Sequence, residues 1–399
     1  MNIIVNAIPL TGLLTGISRY VRCLYSTIQQ TPDVSITYFN VNSLAQTMPS
    51  QAEPVRWSKR TQRIWQLPDI FITTIRTLHW LNFERRIKNV CSSNTYDLYH
   101  ETAFFPAKLR DNIPVVYTIY DNSLLKYKNE HPRERVWFFN LFFKKRLPHA
   151  THIITISEFI KNELTDELGI APNKITAIPL AADPFFYPRQ KVAIDETLNK
   201  HRWPQEYILY VGTLEPRKNL SVLIKALSMT KTKIALILAG WKGWGDKKWL
   251  DDINVYGLQD RVIFTDYVHE ETLACLYSGA SAFIYPSLYE GFGLPVLEAM
   301  ACGCPVICSH VASLPEVAGD AALFIDPIDP VDLAHKIDQV LEDTALRTIL
   351  VEKGLQRAKV FSWQKTAAQT LDVFKNVLAA YSSARKTTSR KSIGITLNK

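Results

Sequence analysis

The sequence predicts an α/β protein of two doubly wound, parallel-sheet domains that face each other across a cleft. Three observations carry this. Short apolar runs alternate with helical segments, the pattern of parallel sheets covered by helices on both faces. The pattern stops in a polar, proline-spaced stretch from Pro179 to Pro204 and then begins again. The chain has 399 residues, 47% of them hydrophobic, enough for two cores of about 180 residues each.

In the first half, residues 3–8 form a short apolar strand ending at Pro9 and a glycine loop, and a helix follows over 18–30. Strands are predicted at 35–39, 97–100, 115–119 and 152–156, with helices at 132–147 and 158–168. Ser157 caps the second of these, because a serine hydroxyl accepts an orphan helix amide. Beyond the linker, strands are predicted at 207–211, 234–239, 262–264, 282–285, 306–308 and 322–324. Helices fall at 220–229, 249–256, 270–278, 295–301, 330–341 and 345–361. The expected domains are 1–188 and 189–362, followed by a helix over 363–381 and a basic tail over 382–399. The tail lacks apolar periodicity and is expected to be disordered. Ligands of such sheets bind beyond the carboxyl ends of the strands.

The net charge of +8 is unevenly spread. Residues 1–188 carry 21 Lys or Arg against 15 Asp or Glu, residues 189–381 carry 20 against 23, and the last 18 carry five basic residues and no acid. This asymmetry points to an anionic partner on one side. No recognition-helix, zinc-finger or RNA-binding signature supports nucleic acid. The six cysteines show no paired zinc-like spacing, and Cys302, Cys304 and Cys308 read as small buried residues. No apolar run approaches the ~18 residues of a spanning helix. The first residues lack the basic start of a signal peptide, so a cytoplasmic protein is expected.

The densest chemistry lies in Tyr289-Glu290-Gly-Phe-Gly-Leu-Pro-Val-Leu-Glu298. Two carboxylates eight residues apart bracket a Gly-x-Gly-Leu-Pro loop that opens a helix. Pro295 suits a first helical position, so the amides of Gly291, Phe292, Gly293 and Leu294 point out of the helix mouth. Such a mouth favours anions, and its glycines let a ligand approach the backbone. Glu298 sits about one turn in. Upstream, Arg217 and Lys218 follow the strand at 207–211 and the turn at 212–216. Arg offers a bidentate fork to phosphate oxygens and Lys a compact charge, both suited to a departing diphosphate.

These strings resemble glycosyltransferase family 4, retaining enzymes of the GT-B fold. Glu290 through Glu298 looks like that family's E-x7-E signature. Tyr210-Val-Gly-Thr-Leu-Glu-Pro-Arg217-Lys218-Asn219 is similar to its phosphate-binding stretch, and Gly12-Leu-Leu-Thr-Gly16-Ile-Ser-Arg19-Tyr20 resembles its amino-terminal glycine loop. The resemblance implies a nucleotide-diphosphate-sugar donor. It assigns Arg217, Lys218, the Gly212 region and the Gly16 amides to the diphosphate, Glu298 to the ribose hydroxyls, and Glu290 to the transferred sugar. The amides of Gly291 to Leu294 are implied to hold sugar hydroxyls and the distal phosphate, and the helix from 363 to cross back to the first domain. Retention by front-face attack is implied, with the departing phosphate taking the acceptor proton; double displacement has the same sequence signature. No Asp-x-Asp stands near the site, so neither metal nor cofactor is expected.

After the strand at 115–119 the family's usual His-Asp pair is here Tyr120-Asp121. Tyr120 either hydrogen-bonds near the sugar's 6-position or fills space there, which leaves room for a 6-deoxy donor. His100 and Glu101 are expected on the acceptor side of the cleft or as a structural pair, with His100 alternatively a core histidine. Trp241-Lys242 and Tyr267-Val-His269 are the candidates for the base pocket. The strings Gly16-Ile-Ser-Arg-Tyr20 and Ile156-Ser-Glu-Phe159 resemble bacterial mannosyl- and rhamnosyltransferases of polysaccharide and O-antigen assembly, which implies a GDP-linked mannose or rhamnose donor. The alternatives are a UDP- or dTDP-sugar donor, or a nucleotide-sugar epimerase of the same fold. Residues 56–88 carry eight basic and five Trp or Phe residues against two acids. Trp57, Lys59, Arg60, Arg63, Trp65, Phe71, Arg76, Trp80, Phe83, Arg85 and Arg86 make an interfacial surface for anionic lipid. That surface implies peripheral association with the inner face of the plasma membrane and a lipid-diphosphate-linked oligosaccharide acceptor.

Overall fold

The structure, a computed structural model, describes residues 1–12, 15–41, 43–49, 67–109, 113–241, 243–245 and 248–393. The first domain runs β1 (Asn2–Asn6), α1 (Gly16–Ile28), β2 (Ser35–Asn40), β3 (Ser43–Ala45), α2 (Asp69–Ser93), β4 (Leu98–Glu101) and β5 (Val115–Ile119). It continues through α3 (Ser123–Lys126), α4 (Arg133–Arg146), β6 (His152–Thr155), α5 (Glu158–Leu168) and β7 (Ile175–Ala177). Its seven-stranded sheet has the order β3-β2-β1-β4-β5-β6-β7, parallel except where β3 folds back on β2.

The second domain holds α6 (Lys191–His201), β8 (Tyr207–Val211), α7 (Leu220–Met229), β9 (Ala235–Ala239), α8 (Lys248–Val255), β10 (Val262–Asp266), α9 (Glu270–Gly279) and β11 (Ala282–Tyr285). Then come α10 (Leu294–Ala301), β12 (Val306–Ser309), α11 (Leu314–Ala318), β13 (Ala322–Ile325), α12 (Pro330–Glu342), α13 (Thr344–Val360) and α14 (Trp363–Ile393). Its six parallel strands are ordered β10-β9-β8-β11-β12-β13. All four residues of β11 and of β12 are buried, because helices cover both faces; such strands read as unbroken apolar runs.

In each sheet the winding reverses once, between β1 and β4 and between β8 and β11. Loops at such a reversal diverge to opposite faces and leave a crevice at the carboxyl end. The two crevices face one another, and the cleft between them is lined from both domains. The chain then crosses back. In α14, Trp363 Nε1 donates to Ala182 O at 3.1 Å and Thr366 Oγ1 to Pro179 O at 2.8 Å. Further along, Phe374 is fully buried with its ring 5.3 Å from that of His100.

Four expectations change. The linker over 179–204 contains α6, an 11-residue helix in which Leu198 alone is fully buried, with Ile194 partly buried beside it; so narrow an apolar stripe is hard to read. The final helix does not stop near Tyr381 but continues to Ile393, since residues 382–393 contain neither Gly nor Pro to end it. Thus the tail expected to be disordered is helical as far as Ile393. Trp80 and Phe83, expected at a lipid surface, are both fully buried and stack with centroids 5.5 Å apart. They belong to the inner stripe of α2, with Ile72, Ile87 and Cys91, and pack against the rings of Phe39, Phe104 and Phe105. The rest of that stretch from Arg56 through Trp65 lies outside the described residues.

Candidate active site

The wall contributed by the second domain is built around one buried carboxylate. β11 leads into Glu290, which is 7% exposed. Lys218 Nζ donates to its Oε1 at 2.6 Å, and Arg217 Nη1 lies 3.5 Å from its Oε2. Arg217 also donates to Tyr289 O and, through Nη2, to Glu215 Oε1 at 2.7 Å. Lys218 gives a second proton to the Tyr285 hydroxyl at 3.1 Å. Both cations sit on a single 3-10 turn, Pro216–Lys218, that ends in Asn219 at φ 62°. Asn219 tolerates this conformation, and its amide group donates to Pro286 O at 3.0 Å and Pro327 O at 2.6 Å.

Burial disfavours the charge on Glu290, but Lys218 and Arg217 overrule it and hold the carboxyl down at about 2. Burial likewise opposes the Arg217 charge, and Glu290, Asp121 and Glu215 keep the guanidinium protonated. Lys218 spends two of its three N–H donors on Glu290 and Tyr285. Arg217 Nε has no partner. Donors therefore remain in this buried pair for an incoming anion.

The loop between the two glutamates is clamped from both sides. Ser157 Oγ, the cap of α5, donates to Gly291 O at 2.8 Å across the domain boundary. Ser313 Oγ lies 2.9 Å from both Glu290 O and Phe292 O. A Cβ on Gly291 would stand 1.9 Å from Tyr120 O, so only glycine allows the two backbones to meet. Gly293 is the N-cap of α10 at φ 105°, a backbone region that L side chains resist. Among the described residues, the amides of Gly291, Phe292, Gly293 and Leu294 make no turn or cap hydrogen bond. Phe292, whose amide is expected among the donor contacts, lines the cleft, and its side chain is 3% exposed and edge-on to Phe361.

The first domain supplies the opposite wall. Gly16 opens α1, with Thr15 and Ser18 forming a reciprocal capping box. Thr15, Gly16, Ile17 and Arg19 line the cleft, as do Tyr120 and Asp121. The Tyr120 hydroxyl donates to Thr102 O at 2.8 Å. Asp121 Oδ1 accepts from Ser123 N and Oγ at 3.0 and 2.7 Å. Gly212, Trp241, Tyr267 and Leu294 also line the cleft, which encloses about 400 Å³, within the usual range for a small-molecule site. Of the base-pocket candidates, His269 serves as the N-cap residue of α9, and Lys242 lies outside the described residues.

Of the alternatives for His100 and Glu101, the structural pair fits: both are fully buried and absent from the cleft lining. His100 is held between the Tyr25 hydroxyl at 2.6 Å and Thr118 Oγ1 at 2.8 Å, and burial pushes its imidazole down to about 3. Glu101 accepts from Asn6 Nδ2, Ala103 N and Phe104 N, tying the end of β4 to the end of β1. Burial raises its carboxyl above the usual range.

Glu298 is brought to the cleft but is already occupied. It is 1% exposed, and Arg19 Nη1 of α1 ion-pairs with its Oε1 while the Tyr277 hydroxyl donates to Oε2 at 3.2 Å. Arg19 also reaches Glu270 at 3.4 Å, and Arg22 bridges Glu270 at 2.8 Å and Asp183 at 2.6 Å. Sequence reasoning quoted Arg19 without a role and missed Glu215, Glu270, Tyr277 and Tyr285. Arg19 meets Glu298 and Glu270 across 279 and 251 residues, beyond any spacing rule, whereas Glu215 stands only two residues from Arg217 inside the quoted string. Among the described residues, no group of three or more His, Cys, Asp or Glu is placed to hold a metal ion. All six cysteines are free and buried.

Comparison with known proteins agrees with the two-domain fold. Two family models match: Glycosyltransferase Family 4 over residues 16–184, and Glycosyl transferases group 1 over residues 194–357. O-antigen chain mannosyltransferase B of Escherichia coli is 34% identical over 388 residues, which is 94% of this chain and 100% of that protein. The serotype-specific mannosyltransferase WbdA of Escherichia coli is 29% identical over 70% of this chain, which spans 36% of WbdA. Among solved structures, sucrose-phosphate synthase from Thermosynechococcus elongatus has a TM-score of 0.69 at 22% identity, covering 95% of this chain and 99% of that one. HepE from Anabaena, solved with UDP and glucose, has a TM-score of 0.69 at 17% identity, covering 94% and 100%.

Glu290 gives the site a pH signature. Its folded value near 2 lies below the ordinary 4.5, so the ion pair's contribution to stability is complete above about 4.5 and is lost as pH falls toward about 2. Lys218→Met leaves burial opposed mainly by Arg217, so the carboxyl should rise. Urea denaturation between pH 5 and 2 should then show a shallower pH slope in the variant, by up to ~1.4 kcal/mol per pH unit. Equal slopes in the two proteins would refute the pairing.

Proposed function

We propose that this chain, which belongs to glycosyltransferase family 4, moves a mannose-type hexosyl residue from a GDP-sugar to a lipid-linked oligosaccharide with retention at the anomeric carbon. The observation that carries this reading is the Arg217–Lys218–Glu290 cluster, buried opposite the mouth of α1 and beside the mouth of α10. A nucleoside diphosphate leaves with about two negative charges, and catalysis requires donors where that charge develops. Arg217 Nε and the unspent Lys218 proton are such donors, fixed in advance by Glu215, Tyr285 and Glu290. The amides at the mouth of α10 add a further anion-stabilising surface. Glu298 then takes the ribose diol and Glu290 the transferred sugar. The leaving charge is met by these side chains, so the reading needs no metal.

The carboxylates that line the cleft are all engaged: Glu215, Glu270, Glu290 and Glu298 by cations, Asp121 by Ser123. That favours front-face retention over a covalent glycosyl–enzyme intermediate, with the departing phosphate accepting the acceptor's proton. Mannose leads as the sugar because relatives such as O-antigen chain mannosyltransferase B bear that name. A 6-deoxyhexose such as rhamnose is the second reading, favoured by Tyr120, whose hydroxyl proton is spent on Thr102.

For the acceptor, the outer surface of the first domain is informative. α2 and α4 lie side by side in the same direction, with Thr73 against Glu134 near their starts and Arg146 on Glu84 near their ends. Their solvent side exposes Ile70, Phe71, Ile75, Leu78 and Leu81 from α2 and Trp137 and Leu141 from α4. Arg85, Lys144 and Lys145 are exposed toward the same end. An apolar plateau beside cations suits the headgroup layer of an anionic bilayer. No described helix is long and apolar enough to cross a membrane. The reading puts the protein on the inner face of the plasma membrane, where a lipid-diphosphate acceptor is presented.

Turnover of GDP-mannose tests the catalytic part. Arg217→Ala and Lys218→Ala should each lower kcat by roughly 10²–10³-fold while the fold survives, and wild-type turnover should persist in excess EDTA. Near-native kcat in both variants, or loss in EDTA restored by Mg²⁺, would sink the assignment. Liposome flotation tests the acceptor side. Wild-type protein should float with anionic but not neutral vesicles, less so at high salt, because charge attraction is screened. Leu78→Glu with Leu141→Glu should abolish flotation and keep nucleotide binding; unchanged flotation would show that this face does not dock.

A further inference from the structure

Two partners have claims on the Glu298 carboxylate. The proposed function gives it to the ribose of the donor, and the inference that follows rests on that reading. With Arg19 in place the carboxylate is 1% exposed and both its oxygens are taken, one by Arg19 and one by Tyr277. Each oxygen keeps a second lone pair, but at 1% exposure a ribose diol has no room beside the carboxylate until one of the side chains covering it moves. Tyr277 is fully buried in the same domain as Glu298 and has nowhere to move. Arg19 comes from the other domain, its Nε has no hydrogen-bond partner, and its second carboxylate contact, to Glu270, is a long 3.4 Å.

Arg19 also stands in the first turn or so of α1, whose opening residues Thr15, Gly16 and Ile17 line the same cleft. An anion at that mouth lies within reach of a guanidinium that has left Glu298. We propose that Arg19 is a positioning residue that exchanges partners when the donor binds: it releases Glu298 to the ribose and moves to the diphosphate. The donor thereby brings both the replacement for Arg19 on Glu298 and the replacement for Glu298 on Arg19. Breaking a buried ion pair without a substitute is costly, because it leaves an uncompensated charge. Arg22 continues to hold Glu270 and Asp183 through the exchange, so the domains stay joined while Arg19 moves.

The exchange couples recognition of the ribose to recognition of the phosphates. A bare nucleoside must evict Arg19 and offers it nothing, whereas a nucleoside diphosphate compensates both groups. Calorimetry tests this with whichever of GDP, UDP or ADP binds tightest, its parent nucleoside, and its 2′-deoxy form, on wild type, Arg19→Gln and Arg19→Lys. In wild type the diphosphate should bind far more tightly than the nucleoside. In Arg19→Gln that gap should narrow by about tenfold, a usual size for coupling between two sites, with the nucleoside gaining affinity and the diphosphate losing it. Arg19→Lys keeps the charge and should narrow the gap by less, and it decides the matter if the Gln variant does not fold. A gap unchanged in the variants, or equal losses for both ligands, would overturn the exchange and leave Arg19 a structural brace. Equal binding of the ribo and 2′-deoxy diphosphates to wild type, together with unaltered binding to Glu298→Gln, would instead remove the ribose reading of Glu298 on which the exchange rests.

Discussion

Charge pairing between buried side chains on the cleft walls is the constraint on which the rest of this molecule depends. Glu290, Glu298, Arg217 and Lys218 are all less than 10% exposed, and removing one partner of such a pair costs ~3–5 kcal/mol because the other is stranded. Every local feature around them serves to make the partners meet. Asn219 takes a left-handed backbone so that the turn carrying both cations can end at the right place. Gly291 gives up its side chain so that a loop of one domain can touch the carbonyl of Tyr120 in the other. Ser157 and Ser313 fix the carbonyls of the same loop. The cluster is thus held by its own ion pairs while Arg217 Nε and one N–H of Lys218 stay unspent, and donors fixed in advance are what electrostatic preorganisation requires.

The two glutamates of one short motif lead different lives because of what each faces. Glu290 is neutralised from within its own domain by residues 72 and 73 positions upstream, and those cations hold its carboxyl low. Glu298 is met chiefly from the other domain, and for it burial wins: its carboxyl is pushed above the ordinary range against the pull of Arg19 and Tyr277. One carboxylate is therefore part of a fixed wall. The other is part of the joint between walls.

Much of this was legible in the sequence, for reasons tied to particular residues. The strands at Tyr207–Val211, Ala282–Tyr285 and Val115–Ile119 fall at their expected bounds, because burial on both faces makes them almost wholly apolar, with Thr118 the polar exception. The Glu290–Glu298 loop and the Arg217–Lys218 turn were legible because glycine, proline and charge at close spacing leave few alternatives. What escaped detection is non-local. His100 looks like a chemical residue at a strand end until Tyr25, Thr118 and Phe374 close around it. Arg19 acquires its partners from residues some 250 to 280 positions away. α6 packs through little more than Leu198 and Ile194, and Trp80 with Phe83 could be placed inside or outside only once α4 lay beside α2.

The return of α14 to the first domain bears on how the polypeptide is made. Strand β7 ends at Ala177, yet Phe374, which closes the core beside His100 and α1, lies 197 residues later. At about 5–20 residues per second, the ribosome needs roughly 10–40 s to cover that distance. Throughout that interval the first domain has its whole sheet but an uncovered face over α1, while the second domain is synthesised and folds in between. The nascent chain therefore carries a sticky half-finished domain for about half of its synthesis, a natural client for a chaperone that shields apolar surface. The last helix completes the molecule in time as well as in space.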